Sequence, residues 1–248
     1  MDCFGKTDIG KRRKNNQDTF RILKRDELKL AVVCDGMGGA AGGGVASNIA
    51  ADVFISSMKV MLGAVELSDL DDNQRVDLLV RAGKDANIAV YKDANEYADL
   101  EGMGTTLVAC MVYDEKLYIV NAGDSRLYIS KGRGNSARLF QITKDHSLVQ
   151  ELFEQGRITA AEAQSHPYKN YILRALGIED ELSFDYFIVD DGFDTVLLCS
   201  DGLTNFVSET ELLKTLSSAM SAGEKVEFLV DRANENGGGD NITAVVMQ

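Results

Sequence analysis

The sequence predicts an α+β domain in which antiparallel sheets lie beneath long helices. Apolar, β-branched runs follow one another across tight turns, as in "YDEKLYIV" and "YISKGRGNSARLF", an arrangement open to antiparallel neighbours but not to parallel ones. Two stretches of helical spacing, 43–62 and 73–97, are long enough to cover the face of a sheet. The elements do not alternate strictly as strand and helix, so the order favours layers over a doubly wound parallel sheet.

Taken along the chain, strands are expected near 19–24, 28–34, 105–113, 116–121, 125–130, 184–190, 195–199 and 242–247, where apolar residues run together or alternate. Helices are expected near 43–62, 73–97, 147–154, 208–220 and 223–236. The segment 147–180 interrupts the pattern with short helical pieces and polar residues. It reads either as a surface insertion beside a site or as ordinary connecting structure. With 248 residues, 45% hydrophobic content and a single proline, Pro167, one domain over 1–248 is the simplest organisation.

Composition removes several classes of function. A net charge of −13 argues against a nucleic-acid surface, which needs clustered cations; the one basic cluster is Lys11, Arg12, Arg13 and Lys14. Only His146 and His166 are present, so any metal would be a hard cation held by oxygen. Cys3, Cys34, Cys110 and Cys199 show no C-x-x-C spacing and fit reduced, buried thiols. No uninterrupted apolar run approaches the roughly 20 residues of a membrane span. The start lacks the basic-then-apolar order of a secretory signal, and a cytoplasmic protein without a membrane segment is expected.

The stretch "AVVCDGMGGAAGGGVASNIA", residues 31–50, ends an apolar run on Asp35 and follows it with glycines. Asp201 repeats the plan after "DTVLLCS", with Gly202 next. A D-G hairpin turn would need a strand immediately afterwards; instead helical patterns follow both pairs. Asp124, in "LYIVNAGDSRLYI", and Asp240, in "GGGDNITAVVM", stand at comparable places, although Asp124 alone is most simply a turn residue. Converging from different strands on one edge of a sheet, these carboxylates would repel one another unless divalent cations intervened. Mg²⁺ or Mn²⁺ suits such donors, and glycine after a ligand lets a backbone carbonyl approach the ion.

A dinucleotide loop is the rival reading, because Gly36-Met37-Gly38-Gly39-Ala40-Ala41 fits G-x-G-x-x-A. Its context is poor: Asp35 would repel a pyrophosphate, and the expected later acid is represented only by Asp52 inside a helical pattern. Near the N-terminus, "GKRRKNNQDTF" places Arg13 and Asp18 directly before a strand. An arginine beside a metal cluster would grip a phosphoryl group through its planar fork, and Asp18 would join the outer shell. Arg12 and Lys14 read as a solvated patch.

In order, "RKNNQD", "VVCDGMGG", "GMGTTL", "NAGDSRLY", "TKDHSL", "LLCSDGL" and "GGGDNITAVV" resemble the bacterial branch of the metal-dependent type 2C (PPM-type) protein serine/threonine phosphatases, from about residue 4 onward. The resemblance implies a four-layer αββα sandwich with two central antiparallel sheets and a centre of two Mn²⁺ or Mg²⁺ ions. It implies that Asp35 bridges both ions, that Gly36 lends its carbonyl to one, and that Asp201 and Asp240 are further ligands of the first metal. Asp18 is then an outer-shell residue acting through water, Arg13 the phosphate-binding arginine, Asp124 the ligand of a third, weaker metal, and Asn241 a residue behind the ligands. "GMGTT" reads as packing.

The implied reaction is hydrolysis of phosphoserine or phosphothreonine by hydroxide held between the two ions, without a phosphoenzyme. Many eukaryotic members carry histidine where this chain has Met37, so the group that protonates the leaving alkoxide is not identified by the motif; His146 reads as structural. The resemblance also implies phosphoprotein substrates, a cognate serine/threonine kinase among them, a flap over 147–180, and a monomer. A catalytically silent binding module of the same family is the alternative; loss of a ligand aspartate would mark it, and none is lost.

Overall fold

Strands buried on both faces explain the continuous apolar runs. In β3 (Leu28–Met37), Leu28, Leu30, Val32 and Cys34 face one apolar layer while Ala31 and Val33 face another. β5 (Leu107–Tyr113) divides in the same way, with Leu107, Ala109 and Met111 on one side and Val108, Cys110 and Val112 on the other. Period-two alternation therefore exists, but between two cores rather than between core and water.

The computed structural model describes residues 1–25, 27–39, 42–190 and 192–248; Ala40 and Ala41 of the glycine-rich pattern lie outside them. One sheet has the order β2-β3-β5-β6-β9, with β2 (Asp18–Arg25), β6 (Lys116–Ala122) and β9 (Asp185–Val189) completing the path and β4 (Gly104–Thr105) pairing with the end of β3. The other has the order β1-β11-β10-β7-β8, from β1 (Cys3–Asp8), β11 (Ile242–Met247), β10 (Thr195–Cys199), β7 (Arg126–Lys131) and β8 (Arg138–Gln141). Neighbours in both sheets pair antiparallel. Val33, Cys110 and Ile119 of the first sheet meet Leu127, Leu198 and Val245 of the second in the layer between them.

Helices α1 (Gly42–Ala64) and α2 (Asp72–Glu96) close the outer face of the first sheet. The second sheet is covered by α6 (Glu209–Leu216), α7 (Ala222–Glu235) and the short α5 (Asp201–Thr204). The result is the expected four-layer αββα sandwich. α1 has the length and mean hydropathy, 1.3, of a membrane span; its Ala46, Ala50, Phe54 and Met58 are instead buried in the layer it shares with α2 and β3.

Local signals set the helix starts. Asp71 with Gln74, Ser208 with Glu211 and Ser221 with Glu224 form reciprocal capping boxes at α2, α6 and α7. α6 stops at Leu216, short of the expected 220. Ser217 and Ser218 turn their hydroxyls back on the Leu213 and Thr215 carbonyls, each at 2.7 Å, and compete with helix continuation. β1 was not expected because it reads CFGKTD and buries only Cys3, leaving no apolar run to detect. Within 147–180, α3 (Leu148–Glu154) and α4 (Ala160–Ser165) form the short helical pieces. A bridge between Ser147 and Ile172 closes the base of this insertion, and Leu176, which is buried, pairs with Thr105.

Candidate functional site

The register of β2 against β3 sets Asp18 directly opposite Asp35. The Asp35 backbone is clamped by its neighbours. Its N–H donates to Thr106 Oγ1 at 3.0 Å, and its carbonyl accepts from the Thr106 N–H and Thr105 Oγ1, each at 2.9 Å. The "GMGTT" motif thus positions the central carboxylate as well as packing. That role was missed because two threonines in an apolar setting give no separate signal.

The second sheet supplies Asp201, which opens α5 just after β10, and Asp240, just before β11. The acids therefore do not share one sheet edge, as strand-end spacing alone suggests. They meet where the edges of two sheets face each other, and Asp124 joins them from the connection that carries β6 of one sheet into β7 of the other. Ser200 ties the halves together, donating to Asp18 Oδ2 at 2.7 Å and accepting from the Thr243 N–H at 3.0 Å. Asn241 holds the loop that bears Arg13. Its Nδ2 donates to the Ile9 and Asn15 carbonyls, each at 3.0 Å, and its Oδ1 accepts from the Gln17 N–H at 2.9 Å.

Both Asp-Gly pairs have the same steric cause. A Cβ on Gly36 would overlap the Gly43 carbonyl at the start of α1, and one on Gly202 would overlap the Asn241 carbonyl. Each glycine lets a following helix seat against the backbone beside a carboxylate.

Charge is unbalanced here. Burial first, then the neighbouring Asp18, Asp201, Asp124 and Asp240, holds the Asp35 carboxyl well above its usual range. Burial likewise pushes Asp18 up to about 7 against the opposing bond from Ser200, and Asp124 up to about 8 with help from Asp201 and Asp145. Asp201 is pushed up to about 6, by burial and then by Asp240. Asp201 also accepts from Asn205 Nδ2 at 3.0 Å. At an effective dielectric of about 20, a pair of like charges 4 Å apart costs about 4 kcal/mol. The apolar layers sustain this, since one buried large side chain returns roughly 1.5–3 kcal/mol.

A divalent cation fits the donors. Asp18 Oδ1 is buried without a hydrogen-bond partner among the described residues, a costly state that a cation or its water relieves. Carboxylates with a backbone carbonyl suit a hard ion. Among the described residues, no three carboxylate, imidazole or thiol groups stand close enough to enclose an ion unaided. An ion here would need the Gly36 carbonyl and water to complete its ligands.

Arg13 Nη2 donates to Asp240 Oδ2 at 2.7 Å, with 48% of the arginine side chain exposed. The hydrogen bond to Asp240, and then the fields of Asp240, Asp35 and Asp201, keep its guanidinium charged. A cavity of about 610 Å³ beside Asp124 and Asp201 is walled by Lys169 and Asn170 of the insertion and by Asn205 and Phe206. A larger one, about 920 Å³, lies between α2 and residues 180–186 and touches none of these acids. His146 is occupied: its Nδ1 accepts from the Gly123 N–H at 3.0 Å and its Nε2 lies 3.1 Å from Asp185 Oδ2. Burial lowers its pKa against the pull of Asp185.

A model of protein phosphatase 2C matches residues 7–235. Serine/threonine phosphatase Stp of Listeria welshimeri is 38% identical over 100% of this chain and 96% of its own length. Protein phosphatase PhpP of Streptococcus pneumoniae is 34% identical over 97% of this chain and 94% of its own. The crystal structure of serine/threonine phosphatase Stp1 from Staphylococcus aureus matches with a TM-score of 0.88 at 35% identity, covering 98% of this chain and 93% of that one. Sequence and fold agree over nearly the whole length, and the chain belongs to the protein phosphatase 2C family, whose members depend on divalent metal.

Proposed function

We infer that this protein is a divalent-metal-dependent phosphatase of phosphoserine and phosphothreonine in proteins. The observation that carries the reading is the set of buried, mutually raised carboxylates at the junction of two sheets, with one charged arginine beside it. A silent binding module would not need to retain every member of that set. The dinucleotide reading fails on Asp35, whose charge belongs to this cluster.

Asp35, the Gly36 carbonyl, Asp201 and Asp240 would hold two ions, with Asp18 behind them through water and Asp124 serving a third. Mn²⁺ or Mg²⁺ bound there supplies charge neutralisation at the phosphoryl group and a source of hydroxide near neutral pH. The chain's own residues do the rest. Arg13 keeps N–H groups without a partner among the described residues, and these bind phosphoryl oxygens in the charge-assisted geometry its fork favours. Thr105 and Thr106 prevent Asp35 from swinging out of line, since positioning within a fraction of an ångström governs such reactions. The insertion and Phe206 wall the cavity in which residues flanking the phosphorylated side chain lie. His146 is not the acid that protonates the leaving alkoxide, because both ring nitrogens are engaged.

The protein acts as a cytosolic monomer, its four cysteines buried as free thiols, on the products of a serine/threonine kinase. The test is phosphate release from a phosphothreonine peptide and from p-nitrophenyl phosphate, with Mn²⁺ or with EDTA. Wild type is expected to require Mn²⁺ and Asp201→Asn to lose activity while remaining folded. Release that persists in EDTA, or in the variant, rejects the reading.

A further inference from the structure

The connection that carries Asp124 is a turn held from outside. Gly123 has φ +117°, a conformation open to glycine alone. Both of its polar backbone groups are engaged by His146, and Asn121 Nδ2 also reaches its carbonyl at 3.4 Å. The His146 N–H donates to the Gly123 carbonyl at 3.0 Å, and the Gly123 N–H donates to His146 Nδ1 at 3.0 Å. A backbone amide can only donate, so Nδ1 is unprotonated and the neutral ring carries its hydrogen on Nε2. That hydrogen faces Asp185 Oδ2, 3.1 Å away at the start of β9, and Arg174 Nη1 lies at the same 3.1 Å from Nε2. Asp185 Oδ1 accepts from Arg174 Nη1 at 2.6 Å, and the Leu173 N–H donates to the His146 carbonyl at 2.7 Å. The imidazole therefore stands between the Asp124 turn and the returning leg of the insertion.

We propose that His146 is a positioning residue for Asp124: its ring holds the Gly123 amide so that the neighbouring carboxylate is set for a divalent cation, and links that setting to Arg174 through Asp185. This rests on Asp124 being the ligand of the weaker ion. Removing a partner behind a ligand costs about 10–100-fold in affinity, and His146 acts one residue away, so the lower end applies.

The full-length, metal-free protein is titrated with Mn²⁺ alone, free Mn²⁺ being read by electron paramagnetic resonance, and Mn²⁺ activation of p-nitrophenyl phosphate hydrolysis is measured alongside. Asp124→Asn should lose the weakest class of sites. His146→Gln, which reaches towards Asp185 but withdraws the acceptor from Gly123, should weaken that same class about tenfold. The tighter classes should stay in place, and kcat at saturating Mn²⁺ should fall less than the activation constant rises. His146→Asn returns an oxygen near the position of Nδ1 and should recover most of the affinity, a rescue that a merely structural role does not produce. If Asp124→Asn loses the weak class but His146→Gln keeps it, weakens all classes alike, or is not rescued by Asn, the proposal is overturned. If Asp124→Asn keeps the weak class, the Asp124 reading falls and takes the proposal with it. Should His146→Gln not fold, Asp185→Ala, which frees the far side of the ring, must still weaken the class about threefold; no change overturns the proposal.

Discussion

The two ends of the first sheet carry polar clusters of opposite design. Where β5 turns into β6, far from the site, Asp72 accepts from Lys116 Nζ at 2.6 Å, Tyr118 Oη at 2.7 Å and Arg75 Nη1 at 3.0 Å. Arg75 also stacks over the ring of Tyr113 at 5.1 Å and donates twice to the Leu67 carbonyl. Every charge there meets its opposite, and the hydrogen bond from Lys116, then that from Tyr118, lowers the Asp72 pKa. At the other end the pKa values of Asp18, Asp35, Asp124 and Asp201 all move upward, and among the described residues Arg13 is partnered with Asp240 alone. A satisfied cluster holds the fold; an unsatisfied one, kept in place by the apolar layers, is reserved for a ligand of opposite charge.

The contrast is broken most directly at Asp35. Asp35→Asn should lower kcat/KM for a phosphothreonine peptide by about 10³-fold, the scale on which a preorganised charged group contributes, while the melting temperature in EDTA rises as one repelling charge is lost. A variant that keeps its activity would make this end merely structural. Arg13→Ala should cost about 10–100-fold in kcat/KM, and Arg13→Lys should recover only part of it because the planar fork is lost; full recovery would reduce Arg13 to a point charge.

The opposite shifts also predict opposite responses to pH. Asp18, Asp124 and Asp201 have folded-state values of about 7, 8 and 6, above their unfolded ones, so the folded protein binds more protons. Their stabilisation is complete below the unfolded value of about 4 and is lost progressively as pH rises from there through the folded values of about 6 to 8. In EDTA the melting temperature should therefore fall across that window. In Mn²⁺ the loss should vanish, because cation binding displaces the same protons and strengthens with pH. A melting temperature flat in EDTA across the window would show that these acids do not repel one another. The smallest effect is reserved for the matched end: Arg75→Leu should lower the melting temperature by about 5 °C and leave the Mn²⁺ activation constant unchanged, as calorimetry and a metal titration would show together.

Much of the site was legible because apolar strands that end in an acid are conspicuous. Asp35 and Asp201 follow uninterrupted runs, and helical patterns after their glycines argue against simple hairpins. The strands themselves were readable where both faces are buried, as in β5 and β10, and not where one residue in six is, as in β1. The meeting of two sheets was not legible from residues alone, since it depends on pairings between distant segments; the family resemblance supplied it. Thr105, Thr106, Ser200 and Asn205 escaped for another reason. Small polar side chains are common everywhere, and only their partners, Asp35, Asp18 and Asp201, give them meaning.

The pairing of β1 with β11, in which Cys3 lies opposite Met247, bears on when this activity can begin during protein synthesis. Arg13 meets Asp240 across 227 residues, and Ser200 meets Asp18 across 182. A ribosome adding about 5–20 residues per second therefore exposes the early acids for many seconds before their later partners emerge. Until β11 docks, the nascent chain has no assembled centre with which to dephosphorylate anything near the ribosome. The order of translation itself keeps the half-made enzyme silent.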